Sequence, residues 1–433
     1  MLKQKYIYDK IIMKVGDAME QHFCANGVDI YVEPNNNMHS FCVSVYIKAG
    51  SMYENEKNNG IAHLYEHMVF RNVKKVYGED FYTLLSRNGL YFNGCTYREF
   101  VQFEFTGICE SFHFLLDVIS KLFLDFTLSG DDIKAEKNRI KAEIRENDER
   151  RTITHYYDKL VWAGTSLENT ISGNCKTIDR ISQKALNEYK NFIISKGNFF
   201  FYVTGNVSNN QIEDLVECVN KISVSNQSTC YTNTAPVPEN FFNRKPDISL
   251  HNDYWTYVKM GFDIDNSCCS MPIRDMIYSA LFENDDAIIF QGLSEKLPLI
   301  YSYDSTLEQY KNVSNIKVQF EVDKKNLYNA IEKAVEVFKA LKNGEFDYDA
   351  VLMKRLSAHR LRMDNVVNLN WDLAYEKHIM DEQEYINALR NITKHQIVGA
   401  ANEIFKTHNL TIAVKGRKKE IDVERITEIV KKL

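Results

Sequence analysis

His63, Glu66 and His67 fall within the five-residue stretch His63-Leu64-Tyr65-Glu66-His67. Helix positions three and four apart are surface neighbours, so this spacing sets two imidazoles and a carboxylate on one face. Two imidazoles so placed can share one zinc ion. An acid beside them is placed to take a proton from water that the metal activates, which is the chemistry of hydrolysis. A catalytic zinc takes three protein ligands and keeps one position open, so a further donor must come from elsewhere. Glu136, Ile140 and Glu143 share a helical face through spacings of four and three. A glutamate there could complete a His, His, Glu set, with its neighbour behind it. Taken alone, Glu136 and Glu143 read first as an ordinary solvated charge face. A histidine pair on a half-buried helix can likewise be structural.

The elements that must position these groups follow from patterning. Alternation predicts strands at Val28–Val32 and Phe41–Ile47, joined by the turn residues Pro34 to Asn37. A polar loop from Ser51 to Gly60 delivers the chain to the histidine helix. Strands around Tyr91–Asn93 and Phe100–Phe105 follow. Phe112, Leu115, Leu116, Ile119, Leu122 and Phe123 then recur at helical spacing. A charged helix runs from Asp131 to about Arg150, its acidic start suiting the positive end of the helix dipole. A helix near Ser182 to Ile194 leads into the apolar strand Phe199–Val203, stopped by Gly205.

From Ser225 to Pro246 the chain is rich in Ser, Thr, Asn and Pro, which predicts a domain boundary. We expect an N-terminal domain at 1–228, a linker at 229–246 and a C-terminal domain at 247–433. The second half repeats the plan of the first. Strand Trp255–Phe262 precedes a helix near Met271–Phe282, Leu327, Ile331, Val335 and Phe338 form an apolar helical face, and a charged helix spans Asp347 to about Met363. Strand Leu410–Val414 ends at Gly416, an offset of 211 residues from Gly205 to Gly416. The same offset carries His63 and His67 onto Arg274 and Tyr278, so the second half lacks the metal motif. Strands in runs and helices in runs predict an α+β fold, two homologous domains each with a mostly antiparallel sheet packed with helices.

The chain has 433 residues, which suggests roughly two to four domains. Its 44% hydrophobic and 26% charged content is that of a soluble globular protein. The net charge of -6, with both signs mixed along the chain, gives no reason to expect nucleic acid or an anionic membrane as partner. Charges within the first ten residues and the lack of an apolar stretch predict no signal peptide, and no run of 18 apolar residues predicts a membrane span. Nine cysteines with no C-x-x-C pair read as reduced thiols in a cytoplasmic compartment.

The stretch Gly60-Ile61-Ala62-His63-Leu64-Tyr65-Glu66-His67-Met68-Val69-Phe70 resembles the metal helix of the pitrilysin and insulysin family, whose signature is H-x-x-E-H and which includes the mitochondrial processing peptidase. In that family a glutamate ligand follows about 76 residues after the second histidine, and here that count lands on Glu143. Glu136, seven earlier, matches the family's supporting glutamate. Gly50-Ser51 with Glu54, Asn93 with Thr96, and Ile171-Ser172-Gly173 ahead of Ile178 add weaker matches. The resemblance spans nearly the whole chain.

The resemblance implies that His63, His67 and Glu143 hold one Zn2+ and that Glu66 is the general base. It implies that Glu136 orients a ligand histidine, and that Asn93 and Thr96 bind a peptide substrate added to an edge strand. Asn93 reads equally as a turn residue. Tyr301 matches a tyrosine that, in the family, binds substrate and stabilises the oxyanion together with an arginine seven residues before it. Here Ser294 stands at that place. Either Lys296 compensates, or an arginine and tyrosine come from another chain. A family-related partner subunit is the expectation, with a homodimer as the alternative. The implied function is a zinc-dependent endopeptidase acting on unfolded or short peptides inside a chamber, in peptide processing or maturation. The alternative is a non-catalytic or scaffold subunit of a heterodimeric peptidase.

Overall fold

The computed structural model describes residues 10–15, 18–226, 231, 234–376 and 382–433. Residues 229, 230, 232 and 233 of the expected linker lie outside them. The fold is α+β, with two mixed sheets, and the chain divides into two compact units. Unit 1 holds residues 1–147, 169–232 and 362–383, and unit 2 holds 148–168, 233–361 and 384–433. Each unit therefore takes a segment from the other half of the sequence.

The sheet of unit 1 uses β1 (Lys10–Val15), β2 (Ala18–Ala25), β3 (Val28–Pro34), β4 (Ser40–Lys48), β5 (Leu90–Thr96), β6 (Phe100–Ile108) and β7 (Phe199–Gly205). Their spatial order is β1-β2-β3-β7-β4-β6-β5, which leaves β5 at an edge. β3 and β7 are parallel and the other neighbours antiparallel. Alternation along the strands divides their side chains between two faces. Val43, Val45, Ile47, Phe103, Phe105, Phe201 and Val203 face one apolar core. That core is completed by α1 (Ile61–Tyr77), α2 (Phe81–Arg87), α3 (Phe112–Leu122), α4 (Gly130–Glu146) and the helices Gln183–Ile193 and Asn209–Asn220.

On the other face Tyr46, Phe100, Phe200 and Tyr202 pack against Leu369, Leu373 and Ala374 of the helix Val366–Glu376. Asn370 is fully buried there. It accepts from Tyr46 Oη (2.9 Å) and donates to the carbonyls of Tyr202 (2.9 Å) and Cys42 (3.3 Å). A buried amide so placed satisfies the polar groups that the tyrosine and backbone would otherwise strand.

Unit 2 holds β8 (Asp247–Asn252), β9 (Tyr257–Asp265), β10 (Tyr303–Gln309), β11 (Val313–Glu321) and β12 (Leu410–Gly416). The order β8-β12-β9-β11-β10 repeats β3-β7-β4-β6-β5, including the single parallel pair, here β12 with β8. The internal duplication is thus a repeat of connectivity and register. Segment 148–168 supplies α5 (Ile153–Val161), whose Tyr157 bonds Asn315 at 2.9 Å. Arg274 and Tyr278 of the helix Met271–Phe282 serve local packing. Arg274 bonds the Cys269 carbonyl and Gln309, and Tyr278 bonds Ser305. Cys268 and Cys269 are free thiols, as is every other described cysteine. Among the described residues no helix is long and apolar enough to cross a membrane.

Candidate metal and hydrolytic site

α1 is capped by Gly60, whose φ of 93° is open to glycine at little cost. A Cβ there would stand 2.7 Å from Ile178 Cδ1 and 2.9 Å from the Ser172 carbonyl oxygen, so the chain can only close over this turn if position 60 is bare. Glu54 caps the same turn. Its buried carboxylate accepts from Gly60 N (2.8 Å), Ala62 N (2.9 Å) and Asn59 Nδ2 (2.9 Å), satisfying N–H groups that a helix start leaves open. Burial pushes the Glu54 carboxyl up to about 7, against the pull of those three donors. Ile61, Ala62, Leu64, Tyr65, Met68 and Val69 bury one side of α1. His63, Glu66 and His67 are left on its partly open side.

α4 starts on a capping box, in which Ser129 and Asp132 satisfy each other's backbone N–H. It buries Ile133, Glu136, Ile140 and Ile144. Arg71 bridges α1 to α4 through Asp132 (3.1 Å) and Glu136 (3.4 Å), and Lys75 reaches Asp132 at 3.1 Å. These ties and the apolar seam fix the register of one helix against the other. The charged helix ends at Glu146, short of the expected Arg150, because Asn147 leaves the helical conformation.

With the helices so held, Glu143 Oε1 lies 3.7 Å from His63 Nε2, and Glu143 Oε2 lies 3.7 Å from His67 Nε2. One donor atom from each of the three residues falls within 4.8 Å of the others. Tetrahedral bonds of about 2.0–2.1 Å would separate donors by roughly 3.3 Å, so this set is close to what a zinc ion needs. The donor types also fit, two imidazoles and a carboxylate. Burial, aided by His67, lowers His63 to about 4 and keeps that ring neutral, with a lone pair to offer. Behind the pair, His67 Nδ1 stands 3.4 Å from Glu136 Oε2, which turns Nε2 toward Glu143. Burial raises the Glu136 carboxyl, but the His67 hydrogen bond and the charges of His67, Arg139 and Arg71 outweigh it, and the net shift is downward.

Glu66 lies beside these groups. Burial raises its carboxyl, and the nearby Glu143 adds to the rise. The Thr96 hydrogen bond and His67 pull the other way. Thr96 Oγ1 donates to Glu66 Oε2 at 2.6 Å. The sequence reading set Thr96 beside the substrate. In the structure it is buried on β5 and its hydroxyl is turned to the glutamate. β5 approaches α1 closely here, and a Cβ on Gly94 would fall 2.5 Å from Phe70 Cε2 and 3.2 Å from Glu66 Cγ. Asn93, by contrast, is exposed and lines a cavity of about 500 Å3 next to Glu66 and His67. Arg71 and Arg139 line it too, and sequence reasoning passed over both. The signal was available: Arg139 follows Glu136 by three and precedes Glu143 by four, which puts it on the same face.

In unit 2, Tyr301 is 95% exposed and lines a cavity of about 650 Å3 with Tyr254, Trp255 and Arg417. Lys296 lines a different cavity, with Asp286 and Lys333. Arg417 and Lys324, not Lys296, are thus the cations that share the Tyr301 cavity. Ser294 lies in a π-helical turn, Gln291–Glu295.

Residues 30–181 match the family described as Insulinase (Peptidase family M16), and residues 180–354 match the one described as Peptidase M16 inactive domain. The uncharacterized zinc protease YmxG of Bacillus subtilis is 23% identical over 406 residues, covering 89% of this chain and 96% of that protein. The mitochondrial-processing peptidase subunit beta of Rattus norvegicus is 28% identical over 194 residues. That match covers 44% of this chain and only 40% of that protein. The crystal structure of a protease from Helicobacter pylori superposes with a TM-score of 0.80 at 16% identity, covering 95% of this chain and all of that one.

Proposed function

From the premise that the chain belongs to the insulinase (M16) peptidase family, we propose that it is a zinc-dependent endopeptidase that cleaves unfolded or short peptides in processing or maturation. The observation that carries this reading is the approach of His63, His67 and Glu143 donor atoms to within 4.8 Å of one another, with Glu66 alongside.

His63, His67 and Glu143 would hold the ion. Zinc, when bound there, supplies Lewis acidity toward the scissile carbonyl and toward water. Glu66 takes a proton from the attacking water and later passes it to the leaving amine, and its raised carboxyl suits a group that must both accept and give. Glu136 orients His67. The edge strand β5 offers its free side to an extended peptide by strand addition, with Asn93 as a contact. A segment already paired inside a folded sheet is not free to add in this way, which favours unfolded or short substrates.

Tyr301 matches the tyrosine that assists the oxyanion elsewhere in the family. Its family partner arginine is replaced by Ser294, a loss of a charge-assisted donor on the order of a few kcal/mol. We therefore propose a family-related second subunit that supplies the arginine and tyrosine, with a homodimer as the alternative, in the cytoplasm. A non-catalytic subunit is the second reading. It is favoured by the match of residues 180–354 to the inactive domain, though that half is the one without the metal motif.

The test is peptide cleavage by the purified chain, alone and with candidate partners from neighbouring genes. Cleavage that disappears in Glu66→Gln while zinc stays bound supports the peptidase. Cleavage that survives Glu66→Gln, or a wild-type chain that takes up no zinc, overturns it.

A further inference from the structure

The cavity of about 500 Å3 beside Glu66 and His67 has an aromatic floor, Phe70 and Tyr82, and a cationic wall, Arg71, Lys74 and Arg139. We propose that it receives an acidic side chain of the substrate, at a position flanking the scissile bond. This rests on the peptidase reading and names the substrate class for it.

The inference turns on which charges are already compensated. Arg71 is held between Asp132 and Glu136 at 3.1 and 3.4 Å, so its charge is matched from within. Lys74 lies 3.0 Å from Glu79, but that carboxylate is 92% exposed, and a pair so open to water is weak. Lys74 also stands 5.9 Å from the centre of the Tyr82 ring. Arg139 is exposed and makes no ion pair within 4.0 Å among the described residues, its charge acting on Glu136 only from farther off. Both carboxylates in the wall are engaged. Glu136 serves His67 and Arg71, and Glu66 is held by Thr96 and assigned to proton transfer. The charge left for a ligand is therefore positive.

A guanidinium presents a fork of donors that matches a carboxylate, and its flat face can lie against an aromatic ring such as Phe70 or Tyr82. A lysine side chain in the same place would meet Arg139 and Lys74 as like charges. An uncharged glutamine would gain hydrogen bonds without the charge. A peptide added along β5 passes Asn93 and Gly94, which also line the cavity, so a side chain beside the reacting bond has a route into it.

The experiment uses a fixed peptide in which one Glu, Gln or Lys is moved across the positions around the cleaved bond. Cleavage is measured as kcat/KM with the whole protein, and binding by anisotropy with the zinc-loaded Glu66→Gln protein. At one flanking position the order should be Glu, then Gln, then Lys, with Glu over Lys by roughly tenfold or more. The charge-reversed double variant Lys74→Glu/Arg139→Glu should invert that order while its zinc content stays that of wild type. A flat or inverted order in wild type, or an order unchanged in the double variant, overturns the inference. Absence of any binding to Glu66→Gln does so too. Binding in the expected order without any cleavage sustains the cavity and sinks the peptidase reading instead.

Discussion

The hydroxyl of Thr96 on the edge strand β5 donates to the carboxylate of Glu66 on α1 at 2.6 Å. The strand expected to present the substrate thus also grips the group expected to move the proton. Removing that donor in Thr96→Val should lower kcat by about tenfold with a smaller change in KM, since a hydrogen bond to a charged group is worth about 1.5–3 kcal/mol. Thr96→Ser should restore most of the rate. Steady-state kinetics on the three proteins decide it, and a pure KM effect would return Thr96 to substrate contact.

Glu66→Gln keeps the size and the hydrogen bond acceptor but cannot take a proton. Peptide cleavage should fall by about 10²–10⁴-fold, the range for a general base, with metal content unchanged. Elemental analysis beside the assay separates loss of chemistry from loss of metal.

The His63, His67 and Glu143 donors predict about one zinc per chain, as a three-ligand catalytic site holds. His63→Ala or Glu143→Ala should lose most of it. Because metal that binds only the folded chain stabilises it, chelation should lower the melting temperature of wild type by several degrees. The same treatment should leave the His63→Ala protein unmoved. A wild-type melt indifferent to chelator would count against the site.

Glu54 links the start of α1 to pH. Its carboxyl is raised to about 7 in the folded chain against an unfolded value of about 4.3, so the folded state holds the extra proton between those values. The stability this contributes is present below about pH 4.3 and is lost as pH rises through 7. Glu54→Gln cannot titrate. The stability difference between wild type and the variant should therefore shift against wild type by on the order of 3 kcal/mol from pH 5 to pH 8. Denaturant melts of both proteins at the two values measure it, and a shift of opposite sign refutes the assignment.

Tyr301→Phe tests where the oxyanion donor comes from. If a partner subunit supplies it, Tyr301→Phe in this chain should change kcat less than twofold, whereas omission of the partner abolishes cleavage. Full activity of the single chain together with a large Tyr301→Phe defect would end the two-subunit reading.

Much of this was legible in the sequence because the chemistry is local. His63, Glu66 and His67 stand out by helical spacing, whereas Glu143, 76 residues on, was singled out only by the family resemblance. The repeated strand plan could be read from Gly205 and Gly416, where apolar runs stop. Thr96 was visible as a residue but not as a partner of Glu66. Which face of an edge strand looks at a helix depends on Gly94, where the missing side chain lets the two meet. Arg139 was passed over, although its spacing from Glu136 and Glu143 was in view, because it is one of five basic residues on a charged helix and looks like any solvated one. β10 and β11 were missed because residues 303–321 mix Asp, Glu, Lys and Asn into their alternation, and packing within the sheet overrides that composition. Lys296 lines a different cavity from Tyr301, and it directly follows the π-helical turn Gln291–Glu295, which no periodicity announces.

Asn370 has a consequence for anyone who would cut this gene in two. A fragment ending near residue 228 would carry the whole zinc motif yet leave Tyr46, Tyr202 and the Cys42 carbonyl without the amide that answers them. The complementary fragment would want Tyr157 in the same way. The strands keep the doubled plan, but the loan of a helix in each direction means that a cut between the halves parts each unit from a helix it packs against.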